Sequence, residues 1–252
     1  MGTDIHLSAE IAVFDEEGRQ TGWEWLPGPI TNCWSCQGTG ERTHNGETKP
    51  CYWCSHEFYD EYEDEPPERN MRYVPEVGKV REGWYHDRNY LVFACLADVR
   101  NGYGFAGVKT FDPVTPISKP RGVPEDATEE SLAVLSNEHS ASWLMLDEVL
   151  AYEWGQPIRQ SGVLSLKQYA EAIRLGRPQE WCGDISGGSI RKVSLDEANQ
   201  MLAEGLDDPN VYVAMEWEDR MADGTENFVK AMQVLAMTAG EVPVRLVFDF
   251  DS

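Results

Sequence analysis

The chain has 252 residues, and 44 acidic side chains stand against 21 basic ones for a formal charge of −23. With 41% hydrophobic and 26% charged residues it has the composition of a folded, non-membranous protein. The acidic excess excludes general affinity for a nucleic-acid backbone, and no apolar run approaches the roughly 18 residues a membrane-spanning helix needs.

Residues 1–10 carry neither a basic flank nor an apolar block, so no secretory leader is expected. Over residues 4–14 Ile5, Leu7, Ala9, Ile11 and Val13 alternate with polar residues, which predicts a half-buried strand. The Asp15–Gly18 stretch makes a turn, Trp23 to Leu26 return as a second strand, and Pro27-Gly-Pro29 stops it. Residues 31–56 hold four cysteines. The run from Glu57 to Glu68 then has seven acids, two prolines and no base, which reads as an extended acidic linker or a flexible arm for a basic partner.

Asn89 can cap a helix over 90–99 whose apolar residues cover most of its circumference, so it should be buried at the centre. Asp126 or Thr128 caps a helix to Leu135, and 143–153 has helical spacing. Ser165 with Gln168, and Ser194 with Glu197, are capping boxes for helices that end at Gly176 and Gly205. The remainder reads strand 211–217, helix 226–238, strand 242–250. The whole predicts an α+β fold: a modest, mostly antiparallel sheet with several helices, plus an inserted knuckle hairpin. Residues 1–30 and 70–252 would form the main domain, 31–56 the knuckle and 57–69 the linker.

Cys33, Cys36, Cys51 and Cys54 are spaced C-x2-C-x14-C-x2-C. Two-residue spacers let two thiolates from one turn reach the same ion at about 2.3 Å. Gly38, Gly40 and Asn45-Gly46 supply the turns that bring the second pair back. The pattern points to structural four-thiolate zinc, with two disulfides or free thiols as the alternative. His44 and His56 are spare ligands. Cys95 sits in an apolar run as a small buried residue, Cys182 is isolated, and the set fits a reducing cytoplasm. Trp34 and Trp53, beside the ligands, can form an exposed aromatic platform.

Several blocks resemble a set of phage and prophage proteins of unknown function. They are Met1-Gly-Thr-Asp-Ile-His6, Asp87-Arg-Asn-Tyr90, Leu96-Ala-Asp-Val-Arg-Asn-Gly102, Pro120-Arg-Gly-Val-Pro124 and His139-Ser-Ala-Ser-Trp-Leu144. The resemblance implies the cytoplasm of a bacterial host and supplies no activity. Cys33-Trp-Ser-Cys-Gln-Gly-Thr-Gly40 is similar to one repeat of the DnaJ-type zinc module, whereas the second pair lacks its glycines.

A second site is suggested by Asp4 and His6, which project from the same strand face and can meet one divalent ion if His86, Asp87 or His139 joins them. The alternative is an ordinary polar strand face. Residues 70–121 carry eight basic side chains against five acidic ones, a positive stretch in an acidic chain. Arg88 and Arg100 flank the buried helix beside Asn89, and Arg121 lies in a proline-bounded loop. Guanidinium forks suit phosphate or carboxylate, unless internal ion pairs consume them. Asp4, His6, Arg88, Asn89, Arg100, Arg121 and His139 are thus candidate ligand-binding residues, and no residue is marked as catalytic.

Three functions are compatible with these residues. One is a phage accessory protein that binds a host factor or small anionic ligand. Another is a metal-dependent hydrolase of a phosphate ester or nucleotide derivative, with a second divalent metal at Asp4 and His6. The third is an acidic nucleic-acid mimic that inhibits a host nucleic-acid-binding protein.

Overall fold

A computed structural model describes residues 3–44, 46–51, 53, 54, 74 and 76–251. Among them are eleven strands and six α-helices, in mostly antiparallel open sheets, so the fold is α+β. The acidic run from Glu57 to Glu68, and His56, lie outside the described residues.

The main sheet has four strands in the order β2 (Gln20–Trp25), β1 (Ile5–Phe14), β11 (Val244–Phe250), β7 (His139–Met145), each pair antiparallel. The first and last strands of the sequence therefore lie side by side at its centre. The alternation read from β1 holds for Ile5, Leu7 and Ala9, which join the main core with Val244, Leu246, Phe248 and Phe250 of β11, but the strand is not half-buried: Ser8 and Glu10 on the other face are buried too, and Val13 is exposed. Helix α1 (Tyr90–Ala97) is buried at every residue after Tyr90, as its unbroken apolar sequence predicts. Asn89 caps its start, and Asp98 ends it in the left-handed conformation. The long helix α6 (Met221–Ala239) packs Met221, Phe228, Met232 and Leu235 into the same core. On the other sheet face the short helix α2 (Glu129–Val134) meets β1, where the hydroxyls of Ser8 and Ser131 lie 2.9 Å apart.

A second core forms where α4 (Leu166–Leu175) and α5 (Leu195–Ala203) cover the sheet β8 (Pro157–Ser165), β10 (Val211–Arg220), β9 (Arg191–Val193). Both capping serines bond as their spacing predicts: Ser165 accepts from the Gln168 N–H and Ser194 from the Glu197 N–H. Two further ribbons, β3 (Ile30–Asn32) with β6 (Lys79–Arg81) and β4 (Glu41–His44) with β5 (Glu47–Pro50), carry the cysteines.

The helix expected over 143–153 needs correction. Residues up to Met145 belong to β7, and only Leu146–Leu150 form a helix, α3. Leu144 pairs with Leu246 and Trp143 with Val247, so cross-strand partners override the local spacing. Strands β8 and β9 are not foreseen in the sequence reading.

Candidate metal centre and anion cleft

The four predicted cysteines converge. Their sulfur atoms all lie within 4.8 Å of one another and all four residues are buried, the only such group of metal-capable side chains among the described residues. The Cys33 and Cys51 sulfurs are 3.8 Å apart and those of Cys36 and Cys54 are 3.5 Å apart. These separations are far beyond a disulfide bond of about 2.05 Å. They match the roughly 3.8 Å edge of a tetrahedron whose centre is about 2.3 Å from each sulfur.

Local backbone explains the convergence. Gln37, Gly38 and Gly40 take positive φ, folding the chain over so that the Gly40 N–H points at the Cys36 sulfur at 3.3 Å. At Gly40 a side chain would also strike Val77, and at Gly78, again with positive φ, it would strike the Gly38 carbonyl. The β4–β5 hairpin, in which His44 pairs with Glu47, returns the second pair, with Cys51 N–H bonding the Gly40 carbonyl at 2.8 Å. Burial pushes the Cys33 and Cys54 thiols up. At Cys36 burial also acts upward, but the Gly40 N–H and the Cys54 thiol outweigh it and bring the group down to about 7. Thiolate is the form that binds metal. Trp34 and Trp53 are both exposed beside the cluster, with ring centroids 5.5 Å apart, which bears out the platform reading.

The second candidate set is partly gathered at one end of the main sheet. Arg88 holds Asp4 with two bonds, Nε to Oδ1 at 2.7 Å and Nη2 to Oδ2 at 2.5 Å. This guanidinium keeps the Asp4 carboxyl below its usual range. His6 Nε2 lies 3.3 Å from the Asp251 carboxylate, whose other oxygen accepts the Asp4 N–H. Asp4 and His6 thus engage Arg88 and Asp251, and they belong to no metal-capable group among the described residues. The Asn89 side chain accepts from the Leu91 and Val92 N–H groups and donates to the Gly224 carbonyl, a structural cap. Arg121 forks onto Glu148 at 2.8 and 2.6 Å and stacks on Trp143.

Arg100 and His139 meet elsewhere, in a shallow cleft of about 500 Å³ that Thr3, Asp98, Lys119 and Ser140 also line. Arg100 Nε donates to the Thr3 hydroxyl at 2.6 Å. His139 Nε2 lies 3.1 Å from the Asp251 main-chain carbonyl, which can only accept, so Nε2 carries the proton. In the neutral ring Nδ1 then accepts from the Ser140 hydroxyl at 3.0 Å. Lys119 makes no ion pair among the described residues. Asp98, Arg100 and Ser140 all have positive φ, three of the six non-glycine residues that do so among the described residues. Such strain persists where surrounding structure holds it and concentrates at functional sites. Thr3 and Ser140 lie inside blocks that carry the resemblance and Lys119 is one of the eight basic side chains of residues 70–121, but neither they nor Asp251 are named as ligand-binding candidates, since nothing local shows that they share a site. No helix among the described residues is long and apolar enough to cross a membrane. No protein-family model, curated protein or solved structure matches this chain.

Proposed function

We propose that the chain is a phage or prophage accessory protein that binds a small anionic ligand in the Arg100–Lys119–His139 cleft and carries a structural zinc ion in its four-cysteine knuckle. The observation that carries the cleft reading is the convergence of Arg100, Lys119 and His139 from three separate segments on one concavity, where Asp98, Arg100 and Ser140 take positive φ. The resemblance to phage proteins adds support. Thr3, Asp98, Arg100, Pro120, His139 and Ser140 come from four of the blocks that carry it, and all line the cleft. Four thiolates around one point fill a zinc coordination sphere, which leaves no position for substrate and makes that ion structural.

The ligand would be a phosphate or carboxylate, which the Lys119 ammonium, beside the Arg100 guanidinium that Thr3, Gly104 and Tyr90 hold in place, suits. Isothermal titration with inorganic phosphate, a nucleoside monophosphate and succinate tests this. At least one should bind with a millimolar or tighter Kd, and Lys119→Gln should weaken it about tenfold, equivalent to about 1.4 kcal/mol. Binding of none of the three, or unchanged binding by Lys119→Gln, would overturn the reading.

A further inference from the structure

Strand β7 carries a bulge at the cleft. Phe248 pairs with Ser142 and Phe250 with His139, so Ser140 and Ala141 together stand opposite Asp249 alone. Ser140 is left-handed there, with φ 55°. A bulge takes one residue out of the ladder and re-aims its side chain, a device common beside active sites. Serine does not favour this conformation, so the surrounding structure imposes it. The Asp249 carboxylate is the anchor: it accepts from the Ser136 N–H and hydroxyl and from the Asn137 N–H just ahead of the strand.

The Ser140 hydroxyl lies 3.0 Å from His139 Nδ1. That is within the roughly 2.6–3.2 Å reach of a nucleophile and its general base. A third group orients the base. The Asp251 carbonyl, 3.1 Å from Nε2, fixes the ring proton there and leaves Nδ1 free to accept. The imidazole also stacks on Phe250, with planes 21° apart. His139 and Ser140 are only half-buried, and both line the cleft together with Arg100 and Lys119. A hydroxyl, an acceptor nitrogen, a group that sets the tautomer and nearby positive charge are the parts of an acyl-transfer site.

We propose that Ser140 and His139 form a nucleophile–base dyad that hydrolyses a small carboxylic ester bearing an anionic group, a proposal that rests on the anion-binding reading of the same cleft. Ser140 Oγ bonds to the ester carbonyl carbon, its proton passes to His139 Nδ1, and the carbonyl electron pair moves onto oxygen. The positive charge of Arg100 and Lys119 stabilises that oxyanion and holds the substrate's anionic group. Collapse breaks the bond to the alcohol oxygen, which takes the Nδ1 proton and leaves an acyl group on Ser140. Water then attacks the acyl carbon and gives a proton to Nδ1, the bond to Oγ breaks, and Oγ takes that proton back. One ester and one water become one acid and one alcohol. The Nε2–H bond to Asp251 keeps the ring in place throughout.

Release of para-hydroxybenzoate from para-acetoxybenzoate by the full, zinc-loaded chain tests this, together with mass-spectrometric mapping of a fluorophosphonate label. The label should sit on Ser140. Ser140→Gly, which suits the positive φ, and His139→Gln should each lower turnover at least about a hundredfold, the usual scale for a general base. The neutral methyl ester of the same compound should have at least a tenfold lower kcat/KM. No turnover above buffer, a label on another residue, unchanged turnover in His139→Gln, or equal kcat/KM for the methyl ester would each overturn the proposal. Titration of the same samples with inorganic phosphate separates the two claims. Phosphate binding without turnover overturns the dyad and leaves the anion cleft standing, and loss of both overturns the two together.

Discussion

Arg245 of β11 runs under the Trp23 ring, 4.3 Å from its centroid, and bonds Glu10 at 2.6 Å and Asp126 at 2.7 Å. Glu10 is fully buried and its other oxygen accepts the Thr128 N–H and hydroxyl. Removing the guanidinium leaves that carboxylate buried without its charge partner, so Arg245→Met should cost about 3–5 kcal/mol. The Arg88–Asp4 pair has similar bond lengths, but both side chains are more than two-fifths exposed. Water screens it, and Arg88→Met should cost at most about 1 kcal/mol. Urea unfolding of the two variants gives the comparison; equal midpoint shifts would contradict the buried Arg245–Glu10 pair account. Neither pairing is readable from sequence. Asp87 and Asp98 are the acids beside Arg88 and Arg100, yet Arg88 pairs with Asp4, 84 residues away.

At the scale of elements, the knuckle and the main sheet have separate interiors. The four cysteines form a buried cluster with Val80, and none of them belongs to the main core. Chelator should therefore melt the β4–β5 hairpin and change Trp34 and Trp53 fluorescence, while nuclear magnetic resonance signals of β1, β11 and α1 persist. Loss of both sets together would show that the two are one cooperative unit. The knuckle was legible because its geometry is local: two short spacers, a hairpin turn and glycines with positive φ. Helix α1 was legible because an unbroken apolar stretch behind an Asn cap has one economical solution. Strand β8 was not, because Gln160, Ser161 and Gly162 interrupt its apolar pattern. Gly162 is there for tertiary reasons: a side chain at that position would collide with the Trp181 ring.

Across the whole molecule, the pairing of β1 with β11 joins residues some 245 positions apart, and Asp249 fastens the loop before β7 through bonds from Ser136 and Asn137. The cleft exists only once these distant segments have met, which is why Arg100 and His139 could be named as candidates from sequence but the cleft around them could not be assembled. The knuckle is the opposite case, a site complete within twenty-two residues from Cys33 to Cys54. Its ion is the claim on which the assignment of that lobe rests. Metal analysis with X-ray absorption on freshly purified, reduced protein measures it directly. One zinc per chain, surrounded by four sulfur atoms at about 2.3 Å, is the predicted result. Protein free of metal, or a coordination shell without four sulfurs, would contradict it.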